Sequence, residues 1–125
     1  MKRAVSTDRS PRPAGSYSQA IVTGSMVFVS GQGPTDPTTE RRPDGIEAQT
    51  HQTIRNIRSI LEAADCTLDD VVKVTAHLAD IDDFPGYDGI YRQYFREPLP
   101  VRTTVGSTLI HGLVEIDVIA VRPDR

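Results

Sequence analysis

The sequence has little of what several classes of protein require. Its 125 residues include one cysteine and no tryptophan, and aromatic residues make up 6% of the chain. Because Cys66 is alone, an intrachain disulfide and a zinc site built from several cysteines are both excluded. The longest apolar runs, such as Val118–Val121, are far too short to cross a membrane, and the first ten residues lack the apolar stretch of a signal peptide. We therefore expect a soluble cytoplasmic protein with no membrane partner.

An excess of positive charge is also missing. The chain carries 14 Lys and Arg against 17 Asp and Glu, a net charge of −3 at pH 7. This balance argues against a nucleic-acid partner held by bulk charge, although it leaves room for a local basic pocket. The three histidines are dispersed without metal-ligand spacing, so we expect no metal site. The length fits one domain over residues 1–125, and an apolar fraction of 38% suggests a core partly completed by an oligomer.

Turn residues and apolar periodicity divide the chain into seven elements. The predicted strands are residues 20–23, 26–30, 71–78, 101–105 and 114–121, and the predicted helices are residues 46–64 and 84–96. A Pro- and Gly-rich loop is expected over residues 31–45. The order β-β-α-β-α-β-β predicts an α+β fold with both helices packed on one face of a mixed sheet.

The face of the sheet away from the helices has a mixed composition. Alternation places one apolar set from each of two strands toward the helices. These sets are Val72, Val74, Ala76 and Leu78, and Val114, Ile116, Val118 and Ala120. The opposite face then carries Lys73, Thr75, His77, Glu115 and Asp117, with Arg102 as a further candidate, together with Val71, Ile119 and Val121. A solvated face and a subunit interface with a ligand pocket at its edge both fit this pattern, and composition does not decide between them.

Seven segments, taken in order, resemble the Rid family of reactive intermediate deaminases, also called the YjgF family. They are residues 15–20 (GSYSQA), 27–32 (VFVSGQ), 49–56 with Leu61, 70–75 (DVVKVT), 84–91, 100–105 (PVRTTV) and 114–116 (VEI). The resemblance runs from Pro13 to Val121. It implies a chorismate-mutase-like α+β fold and a homotrimer in which three sheets form a central barrel. It also implies hydrolysis of 2-imino and 2-enamino acids to 2-keto acids and ammonia, with no cofactor and no metal.

Two residues are the candidate catalytic groups. Arg102 matches the family's carboxylate-binding arginine, and a guanidinium can bind the carboxylate of an imino acid through two parallel hydrogen bonds. Glu115 matches the family's glutamate, and a carboxylate can position a water and move its proton during hydrolysis of a C=N bond. Taken by spacing alone, both residues would be ordinary surface side chains.

Five further positions are candidate substrate-binding residues: Tyr17, Ser30, Gly31, Asp88 and Thr104. The resemblance places Tyr17 in the wall of the pocket, where it offers a hydroxyl and a ring face. Gly31 allows backbone to approach a ligand without hindrance from a Cβ atom. Backbone groups at Ser30, Gly31 and Thr104 are expected to hold the imine nitrogen and the carboxylate.

One departure from the family pattern bears directly on the site. The pocket asparagine of the family is Asp88 in this chain, so two donors are replaced by acceptors. A carboxylate facing the pocket would add negative charge beside an anionic substrate, whereas one paired with an arginine would not. Asp88 thus keeps a second hypothesis open, a non-catalytic module that binds a small metabolite. A third, an RNA-directed role, is disfavoured by the acidic composition and by the lack of a basic and aromatic stripe.

Overall fold

The computed structural model describes residues 1–123 as a six-stranded sheet with two helices. The strands are β1 (Arg3–Val5), β2 (Ala20–Thr23), β3 (Met26–Gln32), β4 (Val71–Leu78), β5 (Val101–Gly106) and β6 (Val114–Val121). The helices are α1 (Ile46–Ala63) and α2 (Phe84–Tyr91). Strand β1, which pairs with β2, was not predicted, because three residues at an edge are too few to show alternation. Six of the other seven elements were predicted within two residues of their observed ends, and the exception is the end of α2.

The strand order in the sheet is β1-β2-β3-β6-β4-β5. All neighbouring pairs are antiparallel except β4 and β5, which are parallel, so the predicted mixed sheet is confirmed. Gly24 provides the positive φ of 57° at the tight turn between β2 and β3. No helix formed by residues 1–123 has the length and hydropathy needed to cross a membrane.

The core lies between the sheet and the two helices, which pack side by side on one face of the sheet. Helix α1 contributes Ile54, Ile57, Ile60 and Leu61, each no more than 1% exposed. The sheet contributes the predicted alternating set of β6, in which every second residue from Val114 to Ala120 is buried. Burial of each aliphatic side chain stabilises the fold by roughly 1.5–3 kcal/mol, so this layer is the main source of stability.

The second helix is shorter than predicted. It was expected to reach Arg96 on the spacing of its aromatic residues but ends at Tyr91. Beyond Tyr91 the chain forms 3₁₀-type turns, because the amides of Gln93 and Tyr94 donate to carbonyls three residues earlier. Phe95 still stacks on Tyr91 with ring centroids 4.4 Å apart, so the aromatic spacing reports packing against the core rather than continued helix.

The start of β4 also differs from prediction. Val71 is buried and Val72 is 46% exposed, the reverse of the predicted alternation. The pairing of β4 with β6 is irregular between Val71 and Lys73, where one extra residue enters β4. A bulge of this kind exchanges the faces of the residues that precede it. From Lys73 onward the predicted alternation holds.

Candidate active site

A bulge in β3 brings backbone against Glu115. The pairing of β3 with β6 shifts between Val29 and Gln32, so Ser30 and Gly31 lie at the irregularity. A Cβ atom added to Gly31 would lie 2.9 Å from Cδ and 2.9 Å from Oε2 of Glu115. The carboxyl group of Glu115 therefore rests on the Gly31 backbone, and only glycine leaves room for it there.

Glu115 opens into a cavity of about 580 Å³, which Tyr17, Ser30 and Gly31 also line. The Tyr17 hydroxyl accepts a hydrogen bond from the Ala14 amide at 3.1 Å and keeps its own proton free to donate. The amide and the hydroxyl of Ser30 both donate to the Gln19 carbonyl, at 2.9 and 3.0 Å. The donors of Ser30 thus fix the wall of the cavity, while Tyr17 and Glu115 present polar atoms to its interior.

Three buried amide side chains anchor the loops around this cavity. Gln19 donates to the Pro11 carbonyl at 2.9 Å, and Asn56 donates to the carbonyls of Gly33 and Thr35 at 3.0 and 2.9 Å. Gln49 donates to the Pro43 carbonyl at 2.9 Å and accepts from the Leu113 amide at 2.8 Å. Each amide satisfies backbone groups that would otherwise be buried without partners, so the predicted loop over residues 31–45 is held in place.

Arg102 lies on the other side of the sheet, against α2. Its guanidinium carbon is 4.4 Å from the ring centroid of Tyr91 and 5.4 Å from those of Tyr87 and Phe84. Cation–π contact with several rings favours the charged guanidinium and fixes its plane. The Arg102 side chain is 22% exposed and borders a separate hollow together with Asp88 and Tyr91. An immobilised arginine at the rim of a hollow is suited to bind a planar anion.

Asp88 is the ionic partner of Arg102. Asp88 Oδ1 lies 2.7 Å from Arg102 Nη1, and Asp88 Oδ2 lies 2.9 Å from Arg92 Nη2. Burial alone would raise the pKa of Asp88, but the hydrogen bonds from Arg102 and Arg92 hold this pKa below its ordinary value. The carboxylate is therefore ionised at neutral pH and occupies part of the hydrogen-bonding capacity of Arg102.

Three buried hydroxyls lie beside the same arginine. Those of Tyr87, Tyr91 and Thr104 have no partner within full hydrogen-bond geometry among residues 1–123, but Tyr87 interacts with Thr104 and Arg102, and Tyr91 interacts with Arg102. Burial raises the pKa of Tyr91 to about 12, so this phenol keeps its proton. Because the three hydroxyls are buried, the exposed part of the Arg102 guanidinium is the donor that a carboxylate can reach.

The sheet separates the two candidate catalytic residues within one subunit. Arg102 is paired with Val74, which faces the helices, whereas Glu115 is paired with His77 on the opposite face. Grouping Arg102 with Glu115 on one face was therefore wrong, because the edge strand β5 takes its face from its parallel register with β4. The structure thus places Tyr17, Ser30, Gly31 and Glu115 at one half-site and Asp88, Arg102 and Thr104 at another.

The anchoring roles of Gln19, Gln49 and Asn56 were not foreseen from the sequence. The available signal was an uncharged amide at core-facing positions of α1, where Gln49 and Asn56 lie two turns apart. Such residues are tolerated in a core only when their polar atoms have partners. Within the described residues, no three His, Cys, Asp or Glu side chains lie close enough together to hold a metal ion.

The chain is similar to known proteins over nearly its full length. The sequence profile of the family described as "Endoribonuclease L-PSP" matches residues 7–122. A RutC family protein of Pyrococcus horikoshii is 43% identical over 123 residues, which cover 96% of this chain and 98% of that protein. The 2-iminobutanoate/2-iminopropanoate deaminase of Capra hircus is 38% identical, with 98% of this chain and 91% of the deaminase covered.

A solved structure agrees with the fold over almost its whole length. RidA from a Psychrobacter species superposes with a TM-score of 0.92 at 38% sequence identity, covering 95% of this chain and 98% of that one. Both the sequence and the backbone arrangement are therefore shared over nearly the full chain.

Proposed function

We propose, because this chain belongs to the Rid (YjgF) family, that it hydrolyses 2-imino and 2-enamino acids to 2-keto acids and ammonia. The observation that carries the proposal is the complementary chemistry of the two half-sites. One offers Arg102, which is fixed among aromatic rings. The other offers the Glu115 carboxylate inside a cavity. An imino acid needs a cationic site for its carboxylate and a base beside its electrophilic carbon.

The reaction requires only water and a proton shuttle. Arg102 binds the substrate carboxylate, and Glu115 accepts a proton from a water as its oxygen adds to the C=N carbon. The resulting carbinolamine carries the former imine nitrogen, and Glu115 returns the proton to that nitrogen. Glu115 then takes the proton of the carbinol hydroxyl and passes it to the same nitrogen as the C–N bond breaks, so that ammonia leaves and the carbinol oxygen becomes the keto oxygen. Tyr17 is the neighbouring hydroxyl able to donate to the carbinol oxygen in the transition state.

We further propose that the two half-sites meet between subunits of a homotrimer. The outer face of the sheet carries large apolar side chains at unusual exposure for a monomer: Phe28 42%, Val101 66%, Val105 39% and Val121 37%. An exposed apolar patch with interspersed polar groups is typical of a subunit interface. Its position beside Glu115 and along β5 supports an arrangement in which one subunit supplies Glu115 and its neighbour supplies Arg102.

A coupled assay tests the proposed activity. An amino-acid oxidase generates the imine in place, and the release of keto acid is measured with and without the protein. Arg102→Ala should lower kcat/KM about 10- to 100-fold, the loss expected for a charge-assisted carboxylate contact. Glu115→Gln should lower kcat by about 10²- to 10⁴-fold. Arg96→Ala is the matched control, since Arg96 is an exposed arginine paired with Asp69 away from both half-sites. Equal activity of Arg102→Ala and the wild type would overturn the proposal.

The ion pair between Asp88 and Arg102 favours a second candidate function. A carboxylate that already occupies the arginine suits a protein that binds and releases a small carboxylic acid without turning it over. Calorimetric binding of keto acids, combined with no acceleration of any imine in the assay above, would establish this binding module in place of the deaminase. Salt-sensitive binding or cleavage of RNA by a nuclease-free preparation would contradict both.

A further inference from the structure

The cavity around Glu115 contains two arginines that the proposed reaction does not use. Arg12 and Arg42 both line it, and Glu115 is the single acidic residue of its lining. The lining therefore has a formal charge of +1 in a chain whose net charge is −3. Among residues 1–123, neither arginine has a carboxylate within 4 Å. Two unneutralised guanidinium groups in one cavity favour an anionic occupant.

Both arginines are attached to backbone that the buried amides hold in place. Arg12 directly follows Pro11, whose carbonyl accepts from Gln19 at 2.9 Å. Arg42 directly precedes Pro43, whose carbonyl accepts from Gln49 at 2.9 Å. Gln19 and Gln49 are 3% and 7% exposed, so these anchors lie in the protein interior. The loops thus fix the backbone from which the two exposed arginine side chains reach the cavity, so that less backbone entropy is lost when a ligand is bound.

Acidic residues near Arg12 compete with an anionic ligand for its positive charge. On its other side Arg12 borders a smaller hollow lined by Asp8, Asp36 and Glu40. These carboxylates lie beyond ion-pair distance and weaken the field of Arg12 without neutralising it. Arg42 has no place in that hollow. Arg42 is therefore expected to contribute more to anion binding than Arg12.

We propose that Arg12 and Arg42 form a second anion-binding subsite, which selects substrates carrying a negative charge at the far end of the side chain. This inference rests on the proposed function, in which Arg102 binds the 2-carboxylate. Arg12 and Arg42 then bind a second carboxylate of the same substrate. The preferred substrate class is then the 2-imino dicarboxylic acids, with the corresponding 2-oxo dicarboxylic acids as products. Thr35 and His111, which also line the cavity, supply further hydrogen-bond donors beside the second carboxylate.

Calorimetry with two product-like probes tests the subsite without requiring turnover. The probes are 2-oxoglutarate and 2-oxobutanoate, which share a 2-oxo acid end and differ in the terminal carboxylate. At low ionic strength we expect 2-oxoglutarate to bind about 10-fold more tightly to the wild type. Arg42→Ala and Arg12→Ala should each reduce this preference by about 3- to 10-fold, and Arg42→Lys should retain most of it.

The matched control is Arg41→Ala, which removes an adjacent exposed arginine that does not line the cavity and should leave the preference unchanged. Equal affinity of the wild type for both probes, no binding of either, or a preference that survives in the Arg12→Ala/Arg42→Ala double variant would each overturn the subsite. The proposed deaminase activity is judged separately by turnover of 2-iminopropanoate. Normal turnover with equal probe affinities refutes only the subsite, whereas an arginine-dependent preference without turnover refutes only the deaminase.

Discussion

Replacing Asp88 by asparagine should make the protein bind 2-oxo carboxylates more tightly while making it less stable. The substitution keeps the side-chain shape and removes the charge that occupies Arg102 at 2.7 Å and Arg92 at 2.9 Å. A hydrogen bond between charged groups contributes about 1.5–3 kcal/mol when partly buried, and an exposed helix pair about 0.3–0.5 kcal/mol. The bond to Arg102, whose side chain is 22% exposed, therefore dominates both effects.

The expected changes in stability and in ligand affinity follow from the loss of the bond between Asp88 and Arg102. Asp88→Asn should lower the free energy of unfolding by about 1–2 kcal/mol at pH 7, measured by urea denaturation. Because Arg102 no longer has an internal carboxylate partner, the dissociation constant for 2-oxobutanoate should fall about 3- to 10-fold, measured by calorimetry. Asp82→Asn is the matched control, since Asp82 is an exposed residue just before α2 and has no arginine partner among the described residues.

The stability difference has a defined pH dependence. The pKa of Asp88 in the folded chain lies below its ordinary value of 3.8. A depressed carboxyl pKa stabilises the folded state above the unfolded pKa, and this contribution is lost as the pH falls through the folded pKa. Wild type and Asp88→Asn should therefore differ most above about pH 4 and converge at lower pH. Unchanged or weaker binding of 2-oxobutanoate by the variant would refute the reasoning that Asp88 competes for Arg102.

Two further substitutions test the cavity around Glu115. Gly31→Ala should lower kcat with little loss of stability, because the added Cβ atom, 2.9 Å from Cδ of Glu115, displaces a flexible carboxyl group. Asn56→Ala should lower the free energy of unfolding by about 2 kcal/mol or more, because the carbonyls of Gly33 and Thr35 lose their donor.

Each of these substitutions has a matched control. Gly89→Ala places a Cβ atom in open space away from the cavity around Glu115 and should retain wild-type kcat. Arg55→Ala removes an exposed side chain on α1 and should change stability by less than about 0.5 kcal/mol. A Gly31→Ala protein with wild-type kcat, or an Asn56→Ala protein as stable as Arg55→Ala, would contradict the roles given to these residues.

Local pattern was sufficient to predict most of the architecture. The β2–β3 hairpin, α1 and the buried face of β6 follow from turn residues and apolar periodicity, which depend only on sequence neighbours. The face of Arg102 was not predictable in this way. Strand β5 alternates Val101 and Thr103 with Arg102 and Thr104, and neither set is clearly apolar, so its orientation depends on the register with β4.

The partners of buried polar groups were the other part that sequence could not supply. Asp88 was recognised as a departure that would either face the pocket or pair with an arginine, and only the tertiary structure places Arg102 and Arg92 on its two oxygens. Gln19, Gln49 and Asn56 bond to backbone groups between 6 and 64 positions away along the chain. Contacts at such separations depend on the fold as a whole.

The central claim, that Arg102 and Glu115 of neighbouring subunits form one site, is tested most directly by subunit complementation. At low substrate concentration, Arg102→Ala and Glu115→Gln are each expected to retain about one tenth of wild-type activity or less. When the two are co-expressed in equal amounts, about one quarter of the interfaces in a closed symmetric ring combine an intact Arg102 with an intact Glu115. The co-expressed mixture should therefore recover about one quarter of wild-type imine hydrolysis, and mixed trimers purified away from the two homotrimers should recover about one third. Hybrids whose mixed composition is verified by mass spectrometry but which are no more active than the two variants would contradict the account.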